Sequence, residues 1–171
     1  MNAVVSSPIH ILVLCTGNSA RSILGEALFN HLGQGRVRAY SAGSQPSGKV
    51  NPVALEALAQ HGVPLPEGGM PRSKSWDEFA APAAPKLDYI FTVCASAAGE
   101  TCPVWPGHPT TAHWGIDDPA HVEPLEARRA AFEKAYAQLE QRIRAFLALP
   151  LETMPAADVK VAAQLIHEAV L

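Results

Sequence analysis

The stretch from His10 to Ser22, HILVLCTGNSARS, restricts the fold of this chain more than any other. The apolar run Ile11 to Leu14 is short and continuous, as in a strand buried on both faces of a parallel sheet. Ser19 to Leu32 follows a helical period, with Ile23, Leu24, Ala27, Leu28 and Leu32 on one face and Gly33 as its stop. Strand and helix are joined by Cys15, Thr16, Gly17, Asn18, Ser19, Ala20, Arg21 and Ser22. A loop of small and polar residues before a helix can turn its backbone N–H groups inward as an anion nest, and the helix N-terminus adds its positive dipole end. Gly17 and Asn18 are residue types that accept the unusual backbone angles of such a curl. Arg21 supplies a planar fork for two oxyanion oxygens. A cysteine inside that positive field is favoured as thiolate. Cys15 is therefore a candidate nucleophile, and Thr16, Gly17, Asn18, Ser19, Ala20, Arg21 and Ser22 are the candidate oxyanion-binding residues. The competing explanation is a buried, inert cysteine before an ordinary polar turn.

The rest of the chain extends the same pattern. VRAYSAG (37–43) predicts a second strand. Asn51 and Pro52 open a helix as N-cap and first residue, with Val53, Ala54, Ala57 and Leu58 inward. A short helix is expected at 76–79. LDYIFTVC (87–94) predicts a third strand that ends at Cys94, and AHWGI (112–116) a short edge strand. A long helix over 123–149 places Leu125, Phe132, Ala135, Leu139, Ile143 and Phe146 on its inner side. A last helix over about 156–170 packs Val161, Leu165 and Ile166. This order predicts an α/β fold, an open, mostly parallel four-stranded sheet flanked by helices. The chain is read as a single domain over 1–171, with a core of about 8–149 and an added C-terminal helix. In such sheets ligands sit beyond the carboxyl ends of the strands, where Cys15 and Cys94 both lie. The basic cluster Arg72 to Lys74 reads as a solvated loop. Trp105 and Trp114 read as packing residues.

A net charge of −3 gives no electrostatic reason to expect nucleic acid or a membrane surface as partner. No stretch reaches the roughly 18 apolar residues of a membrane helix. MNAVVSSP lacks the basic and apolar regions of a secretory signal. Three cysteines do not make a disulfide framework. A cytoplasmic monomer is expected, whose cysteines are core residues, metal ligands or redox groups.

Residues 10–22 resemble the phosphate loop of the low-molecular-weight protein tyrosine phosphatase fold, which some arsenate reductases share. The resemblance continues through AYSAGS (39–44), IFTVC (90–94), CPVW (102–105) and HWGIDDPA (113–120). It implies that Asp118, directly before Pro119, is the general acid. Asp117 is the neighbour that a one-residue misalignment would select. Two features favour reductase over phosphatase. Ala120 stands where the phosphatases carry an aromatic residue after Asp-Pro, and Cys94 and Cys102 have no task in ester hydrolysis. The resemblance implies a relay in which Cys15 attacks arsenate, Cys94 attacks Cys15 and Cys102 attacks Cys94, leaving a Cys94–Cys102 disulfide.

Positions eight apart on a straight helix lie about 12 Å apart, beyond the ~7 Å Cα limit of a disulfide, so segment 95–101 has to bend, with Gly99 as hinge. The spacing is one residue longer than in the thioredoxin-coupled type. Thioredoxin and glutaredoxin with glutathione both stand as electron donors, and no bound cofactor is expected. Phosphate and sulfate are expected to compete with arsenate. Asn18 is expected to brace the loop, and Ser22 to hydrogen-bond the Cys15 sulfur. Glu26 and Ser41 resemble positions that bind potassium in some reductases, but a structural pair explains them equally, and no metal is assigned. Three other readings remain: a tyrosine phosphatase, a zinc module on Cys94, Cys102, His108 and His113 (C-x7-C-x5-H-x4-H), and a non-catalytic oxyanion sensor.

Overall fold

A computed structural model describes residues 8–65, 71–94 and 109–169. Strands β1 (Ile9–Cys15), β2 (Val37–Gly43), β3 (Tyr89–Thr92) and β4 (Thr110–His113) form one sheet in the order β2-β1-β3-β4. Every pairing is parallel. The helices are α1 (Arg21–Gly33), α2 (Pro52–Gln60), α3 (Asp77–Ala80), α4 (Leu125–Leu147) and α5 (Ala156–Ala169). No described helix is long and apolar enough to cross a membrane.

Alternation along β1 divides the core. Ile11, Val13 and Cys15 point to the large cluster shared with α1, α2, α4 and α5. Leu12 and Leu14 point to a smaller cluster with Trp76, Phe79, Leu87 and Ile90. The thiol of Cys15 thus faces the start of α1. In the larger cluster, Phe29, Phe91, Trp114 and Phe146 make stacked, tilted and edge-on ring pairs 4.1–6.2 Å apart.

Helix α1 is more deeply buried than a one-face pattern implies, with every residue from Ser22 to Phe29 inside. Gly25 permits this, because a Cβ there would lie 2.9 Å from Val13 Cγ1. The expected stop shifts by one residue: Gln34, at φ 47°, takes the left-handed cap position, and Gly33 stays helical against Val37. Helix α2 starts as expected, with Asn51 Oδ1 accepting from Val53 N–H at 2.9 Å, a cap of about 1 kcal/mol.

Two helix faces differ from the sequence expectation. Leu125 is exposed, since the first buried residue of α4 is Phe132 and the opening turns overhang the core. In α5 the buried stripe is Val159 and Ala163, with Ile166 partly covered, while Val161 and Leu165 are exposed. The helix carries two apolar stripes. The one with the small residue packs inward, and there the Ala163 carbonyl accepts from the Trp114 indole N–H at 2.9 Å. That bond contributes about 1 kcal/mol net, less than the ~1.5–3 kcal/mol from burying Val159.

Arg36, between α1 and β2, clamps the end of α4. It donates to the carbonyls of Leu147 and Leu149 and pairs with Glu152 at 2.6 and 2.8 Å. Hydrogen bonds from Arg36 hold the Glu152 carboxyl down at about 2, against an ordinary 4.5. The unfolded chain therefore takes up this proton at higher pH than the folded one. The stabilisation is complete above about 4.5 and is lost as pH falls toward about 2. Glu152→Gln is expected to melt slightly below wild type near neutral pH, the gap being small because solvent screens the pair. The gap should close on acidification through that window. A constant gap would show that the charge is not responsible.

Candidate functional site

Cys15 ends β1 buried, beside Gly43 of β2. The chain then curls into α1, and its carbonyls are tied outward. Gln45 N–H donates to Thr16 O at 3.0 Å, Ser47 N–H to Gly17 O at 3.0 Å and Asn51 N–H to Ser19 O at 2.9 Å. Ser73 Oγ also donates to Gly17 O at 3.1 Å. In a trans peptide the N–H points opposite the carbonyl, so the N–H groups of Gly17, Asn18 and Ala20 turn to the inner side. The N-terminus of α1 follows directly.

The curl relies on Asn18 rather than Gly17. Asn18 has φ 45° and is fully buried, whereas Gly17 has no positive φ. Asn18 Oδ1 accepts from Lys74 N–H at 2.8 Å, which fixes the orientation of the amide. Its Nδ2 then donates to Ser22 Oγ at 2.9 Å. Ser22 Oγ lies 2.9 Å from Cys15 Sγ, and toward a Cys15 thiolate the hydroxyl is the only possible donor of that pair. A donor aimed at sulfur serves a nucleophilic thiolate.

Arg21 Nη1 donates to Ile116 O at 3.0 Å, and Nη2 lies 3.6 Å from Asp118 Oδ2. Asp118 Oδ1 accepts from Ala120 N–H at 2.9 Å, closing the turn that follows. His121 Nε2 stands 3.8 Å from Asp118 Oδ2. Asp118 and the loop arginine are thus together at the carboxyl end of the sheet. Cys94, two residues beyond β3, is buried with its sulfur 3.5 Å from Thr16 Oγ1. Cys102, the Gly99 hinge, Trp105 and His108 lie outside the described residues. His113, the remaining histidine of the zinc pattern, meets Thr92 Oγ1 at 2.8 Å through Nδ1.

Sequence reasoning missed two supports of the loop. Gly43 is required by close approach: a Cβ there would lie 2.3 Å from Thr16 O. Its only signal was a glycine at the end of a strand. Lys74, expected in a solvated loop, is instead half-buried, holds Asn18 by its backbone and passes its carbonyl to Gly43 N–H at 2.9 Å. Behind the loop, buried Glu26 accepts from Ser41 Oγ at 3.1 Å. Burial pushes the Glu26 carboxyl up from its ordinary range, and Lys74 is the strongest charge pulling it back.

The family model described as low molecular weight phosphotyrosine protein phosphatase matches residues 10–160. The arsenate reductase of Bacillus licheniformis is 35% identical over 138 residues, which cover 80% of this chain and 93% of the relative. The crystal structure of arsenate reductase from Archaeoglobus fulgidus aligns with a TM-score of 0.61 and 28% identity, over 81% of this chain and 99% of that one. The thioredoxin-dependent arsenate reductase of Corynebacterium glutamicum aligns with a TM-score of 0.54 and 26% identity, over 82% and 64%. The sheet order, the Cys15 loop and these matches agree: the chain belongs to the low molecular weight phosphotyrosine protein phosphatase family, and its relatives include bacterial arsenate reductases.

Proposed function

We propose that this protein reduces arsenate to arsenite. The observation that carries the reading is a pair of buried thiols at the carboxyl ends of adjacent strands. Cys15 lies in the oxyanion loop, and Cys94 meets that loop at Thr16. In the first step the Cys15 thiolate forms a sulfur–arsenic bond, and an arsenate oxygen leaves as water with a proton from Asp118. Arg21 and the inward N–H groups hold the other oxygens. Cys94 sulfur then attacks Cys15 sulfur. The new disulfide takes the place of the sulfur–arsenic bond, whose electron pair stays on arsenic and leaves it as arsenite. Cys102 next displaces Cys15 from Cys94. The resulting Cys94–Cys102 disulfide is reduced by an external dithiol, so two thiols have supplied the two electrons.

Thioredoxin is the donor we favour, in line with the thioredoxin-dependent relative. Glutaredoxin with glutathione is the alternative. Such a relay suits the reducing cytoplasm. Phosphate and sulfate should compete in the same cradle.

The family match supports a second reading, a phosphatase acting through the same Cys15, Arg21 and Asp118. Ala120 and the second thiol weigh against it.

The test is arsenate-dependent NADPH oxidation with thioredoxin and thioredoxin reductase, comparing wild type with Cys102→Ser. Turnover that falls by about tenfold or more in the variant supports the three-thiol relay. Turnover only with glutaredoxin and glutathione, unchanged by Cys102→Ser, keeps the reductase but removes Cys102. No arsenate reduction by folded protein with either donor would leave the phosphatase as the better reading.

A further inference from the structure

Arg142 is a buried cation that neither chemistry uses. It lies in α4 and is only 1% exposed. Its Nη1 donates to two successive carbonyls, Trp114 O and Gly115 O, each at 3.1 Å. Burial works against the charge and lowers the guanidinium's affinity for its proton. Well-packed apolar residues often replace buried ions without loss of stability. Stability is thus a poor reason for a charge here, and the atoms it holds are a better one.

Those carbonyls lie in the segment that carries β4 on toward Asp118. Toward the sheet, the segment is fixed by Trp114 N–H to Thr92 O at 2.7 Å and Ile116 N–H to Val93 O at 3.1 Å. Its packing leaves little slack, since a Cβ on Gly115 would lie 2.7 Å from His113 Nε2. The next carbonyl, Ile116 O, accepts from Arg21 Nη1 at 3.0 Å, and Arg21 Nη2 lies 3.6 Å from Asp118 Oδ2. Three successive carbonyls therefore end on two arginines, one in the core and one at the oxyanion loop. Peptide units are planar, so holding the first two carbonyls restricts where the third can point.

We infer that Arg142 positions Arg21: by holding the Trp114 and Gly115 carbonyls it sets the Ile116 carbonyl, which aims the Arg21 fork at a bound oxyanion beside Asp118. Arg142 is a positioning residue, because it touches no reacting atom. The inference rests on the Cys15 loop being an oxyanion site but not on arsenate reduction.

The test is a double-mutant cycle on inorganic phosphate binding, read by calorimetry well below the melting temperature of each variant. It compares wild type, Arg142→Met, Arg21→Lys and the double variant. Lysine at position 21 keeps the charge, and so a measurable affinity, but lacks the planar fork that can hold a carbonyl and an oxyanion together. Arg142→Met is expected to raise the phosphate dissociation constant about tenfold in the wild-type background and less than about twofold in the Arg21→Lys background. A residue that merely supports the fold would cost the same in both. Equal losses in the two backgrounds therefore overturn the inference, as does an unchanged affinity in Arg142→Met. If Arg142→Met does not fold, Arg142→Gln, which keeps a donor on a shorter side chain, takes its place in both backgrounds. Failure of both to fold overturns the inference, because the guanidinium would then serve the fold itself. A wild type that binds no phosphate overturns the oxyanion reading and this inference together. A wild type that shows the expected coupling but reduces no arsenate supports the inference and overturns only the reductase reading.

Discussion

Cys15→Ser is expected to lower arsenate turnover by about four orders of magnitude or more while oxyanion binding persists. The loss follows from the element replaced. A serine hydroxyl stays protonated at neutral pH, and an oxygen–arsenic ester cannot pass electrons to arsenic as sulfur does on forming a disulfide. Retained binding follows from the loop, whose inward N–H groups are set by carbonyl bonds to Gln45, Ser47 and Asn51 and not by the thiol. Serine is also the least disturbing replacement, since its oxygen can still meet Ser22. Phosphate titration and coupled arsenate turnover on the same preparation check both halves. A variant that bound no phosphate would show that sulfur helps to build the cradle. A variant that still turned over would remove Cys15 as nucleophile.

The parts of this site that were legible in the sequence are those encoded locally. An apolar run, a cysteine, small residues, an arginine and a helical period are consecutive, so their types alone describe a strand, a curl and a helix N-terminus. Asn51 with Pro52 was legible for the same reason. Four things were not. The role of Lys74 depends on a segment more than 50 residues along the chain returning to Asn18, and charge near a proline is ordinarily solvated. The need for glycine at position 43 arises only because the loop from the neighbouring strand folds across it. The phase of α5 was misjudged because its sequence offers two apolar stripes, and which one is buried is a matter of tertiary packing, where Val159 and Ala163 face inward and Ala163 O meets the Trp114 indole. The pairing of Arg21 with both the Ile116 carbonyl and Asp118 is likewise a tertiary fact, although Asp118 itself was marked by its place before Pro119.

Cys94→Ser separates the two chemistries open to this family. With thioredoxin as donor, multiple-turnover arsenate reduction is expected to fall by about three orders of magnitude or more, because the thiol that the relay uses to displace arsenic from Cys15 is gone. The first step needs only Cys15, Arg21 and Asp118, so the variant should still form the sulfur–arsenic adduct, one per protein molecule. Intact-mass measurement after exposure to arsenate would detect it. Any hydrolysis of p-nitrophenyl phosphate by the wild type should survive, since water and not a thiol completes that reaction. The substitution is mild where it is made: Thr16 Oγ1 lies 3.5 Å from the Cys94 sulfur, and a serine hydroxyl can keep a hydrogen bond there. The loss is therefore chemical and not a failure to fold. If Cys94→Ser reduced arsenate at the wild-type rate with thioredoxin, Cys94 would be only a core residue beside the loop. If instead wild type and variant hydrolysed the phosphate ester equally and neither reduced arsenate, the same Cys15 loop would be serving a phosphatase.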